Sequence, residues 1–327
     1  MGQGLDIPKS GQHKFFIFKL LGESSTRKVA MERQKLIRRV GKRGKCKGQF
    51  MNPCGVAISK TGDIIIADTE NHRIQIFTTE GVFKSKFGCK GCKPDQIHYP
   101  VSVVMTKDDH IAITDSVNAC VKIFSLDGQL VQLLGSSDVL EIPYGLCQTH
   151  DDHFIVTDIC KHSLVIFDKD GNMCRTFGQY GSEPREFDHP YFVAVDTDKQ
   201  IYVSDSGNSS IKLFTFEGKL LRCYAQTDFK LNSEVFFTLN GICIDGEGNV
   251  LVTCNSGIYI LLKNGRLWEV LTADEGLACP KCITVSSCGK IIVTQNNGEK
   301  INEFCIFRYN PEHFRSLNSA QFYAINI

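Results

Sequence analysis

The residues of this 327-residue chain best equipped for chemistry are its cysteines, histidines and aspartates, and their spacing decides what they can do. Fifteen cysteines include two Cys-x-x-Cys pairs, Cys89/Cys92 and Cys279/Cys282. A structural zinc site needs four ligands converging on one point. The two pairs lie far apart in the chain, one in a loop and one beside a strand, so no metal site is expected. Aspartate recurs instead in a fixed frame. Asp68, Asp115, Asp158 and Asp205 each stand 15 residues after a proline, Pro53, Pro100, Pro143 and Pro190, at steps of 47, 43 and 47 residues. A carboxylate repeated singly in this way is expected to accept backbone hydrogen bonds in the turn after a strand, not to act as a base. No Ser/His/Asp set, carboxylate pair or Gly-rich phosphate loop stands out, so the chain is expected to be non-catalytic and to carry no cofactor.

The frame that spaces these residues is a repeat. Residues 48–88 recur as 95–135, 138–178 and 185–225, with looser copies at 235–272 and 276–310. A period of 43 to 47 residues falls in the range of propeller blades. Within the first copy GVAIS, IIIAD, RIQIF and VFKSKF are β-rich runs separated by TGD, ENH and TTEG, the pattern of successive hairpins. One four-stranded sheet cannot cover both its faces, whereas six stacked around an axis do. The chain is therefore expected to be all-β, a six-bladed propeller over residues 35–310. The last copy stops after its third strand, FCIFRYN. The segment at 35–41, KLIRRVG, resembles the fourth-strand ends LVQLLG and MCRTFG, and is expected to supply the missing outer strand and close the ring. Residues 1–34 are left as an N-terminal arm and 311–327 as a C-terminal tail. SSTRKVAMERQKLIRR, at 24–39, also carries a rough helical spacing.

Charge divides sharply along the chain. Residues 27–47 hold ten Lys and Arg against Glu32 alone, while from Gly48 onward 24 basic residues face 33 acidic ones, so a basic arm precedes an acidic propeller. No apolar run approaches the length of a membrane span, and no signal peptide is apparent. With so many thiols, many of them in strands (Cys120, Cys147, Cys174, Cys243, Cys305), a reducing cytoplasmic setting is expected. Met1-Gly2 opens like a myristoylation site, but Asp6 stands where Ser or Thr is wanted.

The repeating Pro-x-Gly-Val, the strand ending in Ala-Asp or Thr-Asp, and Asn71-His72-Arg73-Ile74-Gln75-Ile76-Phe77 resemble the NHL repeat over roughly residues 35–310. In the last two copies the Asp gives way to Cys254 and Gln295. Six such repeats are similar to the C-terminal propeller of tripartite-motif NHL proteins, in which a RING finger, B-boxes and a coiled coil come first. The run Glu275-Gly-Leu-Ala-Cys-Pro is similar to the branch known for ubiquitin ligases of muscle and nerve. The resemblance implies a non-catalytic module that recruits a protein partner or ubiquitination substrate. It also implies single-stranded RNA as an alternative ligand, which the acidic propeller disfavours; no DNA and no membrane partner is expected. A RING needs eight Cys/His ligands, and the first 46 residues hold only His13 and Cys46.

Propeller geometry brings the interblade loops and the turns between second and third strands onto one face. Its channel mouth is expected to hold the post-proline residues Cys54, Val101, Tyr144, Tyr191, Asn240 and Lys281. Around it fall His98, Tyr99, His189 and Phe192 from the loops, with Asn71, His72, Arg73, Lys161 and His162 from the turns. Aromatic side chains among cations can stack on bases and hold phosphates, or anchor a peptide. The peptide-amidating lyase has a similar propeller with central metal-binding histidines. Here the innermost runs contribute only His150, which argues against that activity.

Overall fold

The computed structural model describes residues 36–225, 238–255, 257–312 and 314. The arm at 1–34 and most of the 311–327 tail lie outside them. Six four-stranded antiparallel sheets make up the fold. Each innermost strand packs on those of its two neighbours, and the sixth packs on the first, so the sheets form a closed six-bladed β-propeller. Blade 3 shows the plan: Pro143–Gln148 lines the centre, Phe154–Asp158 and Ser163–Phe167 follow, and Met173–Phe177 lies outermost. The two middle strands are buried at every position, because neighbouring blades cover both faces of the sheet. This explains why their sequence is continuously apolar, while the outermost strand is mostly exposed.

Ring closure follows the sequence expectation. The innermost three strands of blade 6 are Pro280–Ser286, Lys290–Asn296 and Asn302–Arg308. Leu36–Val40 then pairs antiparallel with Asn302–Arg308, so the two ends of the domain share one sheet. Arg39 ties the joint by ion-pairing with Glu303 and donating to the Gly276 carbonyl. Residues 36–39 are thus strand, not helix, because their backbone groups satisfy an otherwise open sheet edge.

Two features at the centre fix how closely the blades approach. The first is a set of buried hydroxyls near the end of the second strand in blades 2 to 6. Thr114, Thr157, Ser204 and Thr253 donate at 2.7–2.8 Å to the carbonyls of Tyr144, Tyr191, Asn240 and Lys281 in the next blade. Thr294 does the same to Cys54, joining blade 6 to blade 1. Each also accepts an amide from its own innermost strand, as Thr157 does from Gly145 at 2.8 Å. Blade 1 has Ala67 at this place. The second feature is glycine at the third position of the innermost strand in alternate blades. A Cβ on Gly145 would lie 2.4 Å from the Tyr191 carbonyl oxygen and 2.7 Å from the Phe192 Cα. Gly55 and Gly241 are equally tight against blades 2 and 6.

Thr157→Val leaves a buried amide and carbonyl unpaired, and Gly145→Ala forces two backbones apart. Each is expected to lower stability by about 1–3 kcal/mol in urea unfolding. Gly246→Ala, whose added carbon meets nothing within 4 Å, is expected to change it by no more than ~0.5 kcal/mol.

Candidate functional site

The loop face is organised by the repeated aspartates. All four are fully buried. Asp68, Asp115 and Asp205 accept the amides of Met51, His98 and Asp188 at 2.7–3.0 Å, 17 residues earlier, on the loop that enters their own blade. Three residues later, Asn71, Asn118 and Asn208 each donate to that carboxylate and to a glycine carbonyl of the same loop, Gly44, Gly91 or Gly181, at 2.9 Å. A buried cation completes the clamp. Lys122, 1% exposed, lies 2.9 Å from Asp115 and donates to the carbonyls of Lys93 and Gln96. Lys212 lies 2.8 Å from Asp205 and donates to Glu183 and Glu186. In blade 1 two residues divide this work: Arg73 pairs with Asp68 at 2.7 Å and binds the carbonyls of Lys45, Cys46 and Gln49, while Gln75 reaches Gln49 and Asp68. Burial pushes the Asp68 and Asp205 carboxyls up, and the donors gathered around them act against it.

The aspartates therefore do more than hold the turn behind them. Only Asp158 does mainly that, accepting from Cys160 and Lys161 at 3.0 Å as well as from Glu141 and Ile142. Its entry loop is shorter, and Lys161 caps it from outside through the Val139 carbonyl at 2.8 Å.

Three residues expected on the binding face are internal. Arg73 is buried and its guanidinium is spent on the clamp. Asn71 directs its amide inward, and Phe192 is buried against blade 3. Tyr144 and Tyr191 do meet at the channel mouth, stacked with ring centroids 4.7 Å apart and an interplanar angle of 23°. Burial pushes the Tyr144 hydroxyl well above its ordinary range, and the Cys54 thiol beside it up to about 12. Both are neutral, and neither is a nucleophile or base at neutral pH. Lys281, half-buried, is near enough to Cys54 to favour its ionised form.

The remaining expected residues gather in two equivalent notches. Between blades 1 and 2, the His72 ring lies 5.1 Å from that of His98 and 4.9 Å from that of Tyr99, and its Nδ1 accepts the Tyr99 amide at 3.2 Å. Desolvation, then His98 and Lys90, lower the His72 pKa, so its ring is neutral at neutral pH. Between blades 3 and 4, His162 packs on His189 at 4.9 Å and on Tyr180 at 4.8 Å, and accepts the His189 amide at 3.1 Å. His72, Tyr99, His162 and His189 all hold positive φ, between 50 and 61°, which non-glycine residues adopt only when their surroundings impose it.

Lys90 and Tyr180 were not singled out in the sequence, yet each pairs across its entry loop, with Ile97 and Phe187, at matching positions. Exposed apolar side chains extend the face between the notches: Tyr99 at 38%, Val117 at 55%, Ile142 at 38% and Tyr180 at 67%. Val117 and Ile142 sit on backbone fixed by the bonds Val117 to His98 and Ile159 to Ile142.

Comparison with known proteins agrees with the architecture. Residues 50–77 match the NHL repeat, and residues 136–240 match a family described as 6-bladed beta-propeller. The chain is 49% identical over 74 residues to the protein brain tumor of Drosophila melanogaster, a match covering 22% of this chain. Over 56 residues it is 52% identical to the B-box type zinc finger protein ncl-1 of Caenorhabditis elegans, and over 52 residues 54% identical to tripartite motif-containing protein 2 of Homo sapiens, each match covering 16% of this chain. These stretches span only 7% of each relative. Among solved structures, a gluconolactonase from Xanthomonas campestris superposes with a TM-score of 0.63 at 16% identity, covering 81% of this chain and 88% of its own. A streptogramin B lyase does so at 0.59 and 16%, covering 78% and 83%. At such identity the likeness is one of fold alone.

Lys122→Met strands a buried carboxylate and is expected to cost about 3–5 kcal/mol in urea unfolding. Asp115→Asn combined with Lys122→Met removes both charges while keeping an acceptor for the His98 amide, and is expected to cost less than Lys122→Met alone. Lys161→Met, at the exposed cap, is expected to cost under ~0.5 kcal/mol.

Proposed function

Because the chain is a six-bladed β-propeller of NHL repeats, related through them to the tripartite-motif NHL proteins, we propose that it is a non-catalytic recognition module whose loop face binds a protein partner. The observation that carries this reading is the run of exposed apolar side chains, Tyr99, Val117, Ile142 and Tyr180, across blades 2 to 4. They are mounted on loops whose backbone is clamped before any partner arrives, so little ordering cost remains to be met on binding. Aromatic residues ringed by polar groups are the usual anchors of such interfaces. The acidic balance of the propeller favours a peptide or protein over a polyphosphate.

The finer reading, that the partner is a ubiquitination substrate, rests on the tripartite-motif resemblance, and ubiquitin transfer itself would come from a module other than this propeller. All fifteen cysteines are free, which fits a reducing compartment. Among the described residues no helix is long and apolar enough to cross a membrane.

A second reading, single-stranded RNA, is favoured by one observation: Lys90, His72, His98 and Tyr99 place cationic and aromatic groups in a single notch. Burial of Arg73 removes the strongest cation that this reading had counted on.

Peptides selected from a displayed random library against the full chain are expected to lose about tenfold in affinity, or ~1.4 kcal/mol, with Tyr180→Ala or Val117→Asp. Val131→Asp, on an outermost strand, is expected to leave binding unchanged, as read by fluorescence anisotropy. Retention of affinity in both face variants would place recognition elsewhere. Tight, salt-sensitive binding of a randomised single-stranded RNA pool, lost on combining Lys90→Ala with Tyr99→Ala, would replace the protein reading by the RNA one.

A further inference from the structure

The notch between blades 3 and 4 holds a constellation that sequence spacing did not disclose. His162, from the turn between second and third strands of blade 3, meets Asp188 and His189, from the entry to blade 4. One ligand atom from each lies within 4.8 Å of the other two. Among the described residues this is the one such group of three or more. We propose that it is a binding site for a divalent transition metal, with Zn2+ as the reference ion, held by two imidazoles and one carboxylate.

The three groups are fixed by backbone that the fold has already paid to hold. The Asp188 amide donates to Asp205 at 2.7 Å, so this residue is itself part of the blade 4 clamp. His162 and His189 sit at φ 50 and 51°, left-handed positions that a histidine leaves readily unless its neighbours prevent it. The Asp188 Oδ1 lies 2.6 Å from the His189 Nδ1 and 4.0 Å from the His162 Nδ1. Around a tetrahedral zinc with bonds of about 2.0–2.2 Å, ligand atoms stand roughly 3.3 Å apart. The His162 Nδ1 already accepts the His189 amide, so capture needs that bond to give way or the ring to offer its Nε2, the two near atoms to part slightly, and His189, half exposed, to turn. As the metal takes the place of the proton between His189 and Asp188, the ring stays a neutral imidazole and carries its proton on Nε2 instead. Water on the open side completes the coordination.

Donor chemistry narrows the ion. Imidazole nitrogens select zinc, copper or nickel over calcium and magnesium, which want oxygen alone. The equivalent notch between blades 1 and 2 supplies an internal control. There His98 and Tyr99 stand in the places of Asp188 and His189, and Lys90 in that of Tyr180, so the carboxylate is missing and a cation is added.

Cobalt(II) titrated into the full chain under reducing conditions tests the site, because its spectrum distinguishes the donors. One equivalent is expected to produce visible d–d absorption without a sulfur-to-cobalt charge-transfer band. His162→Asn and His189→Asn, which keep a residue tolerant of positive φ, are each expected to weaken binding at least tenfold, and Asp188→Asn to do so without changing the main-chain bond to Asp205. His72→Asn is expected to leave it unchanged, with far-ultraviolet circular dichroism checking that every variant folds. Absence of d–d absorption, absorption carried by a thiolate band, or absorption that survives these three substitutions would each overturn the proposal. Competition of Zn2+ for the bound cobalt is the expected companion result.

Discussion

Everything on the loop face depends on how the innermost strands are held at the axis. In blades 2 to 6 the Thr or Ser near the end of the second strand accepts an amide from its own blade and donates to the carbonyl of the next. These groups are fully buried, so each unmade bond would cost the whole desolvation of an amide or carbonyl. The hydroxyl is thus a spacer of defined length between blades. The carbonyls it holds belong to the second residue of the next innermost strand, and this brings Tyr144 and Tyr191 into register for stacking. Glycine in alternate blades lets the neighbouring backbone come close enough for that bond to form.

From the axis outward, the second constraint is the buried charge. A carboxylate without solvent is costly, and pairing with Lys122, Lys212 or Arg73 recovers only part of that cost. What the arrangement secures is geometry. Each clamp ties an entry loop to the end of the second strand and the start of the third, through three or more main-chain groups. A loop held at so many points can impose left-handed backbone on His72, Tyr99, His162 and His189. Their side chains are therefore aimed by the fold, and recognition groups on them need not be ordered by the ligand.

Period and proline spacing made the ring, its six blades and its closing strand legible, because each rests on alternation and length that the sequence records directly. That the aspartates accept backbone amides was legible too, through their single occurrence at a fixed distance from proline, though their full burial was not. The cations that answer them were not, since the job moves from the first position of the third strand in blade 1, Arg73, to the third position in blades 2 and 4, Lys122 and Lys212. First and third positions lie on the same face of a strand, so either can reach the aspartate, and nothing in composition says which will carry the cation. Arg73 and Asn71 were misplaced on the surface for the same reason. Tyr180 and Lys90 escaped notice because their equivalence appears only once the entry loops are superposed by their parallel bridges.

That equivalence bears on how one scaffold comes to offer different chemistry at different points. The notches share their backbone, their strained positions and the acceptance of an amide by a histidine Nδ1. They differ in charge. Each holds two histidines and one tyrosine; one adds Lys90 and the other adds Asp188. Because the clamp beneath carries the stability, these rim residues can be exchanged without disturbing the fold, and the face can acquire opposite polarity at its two ends. A chain laid across blades 1 to 4 then meets Lys90 and Asp188 on either side of an apolar stretch, a contrast that a metal held by His162, Asp188 and His189 would cancel. Without the metal, such an order favours a chain in one direction over the other, so charge can select orientation before any close contact forms.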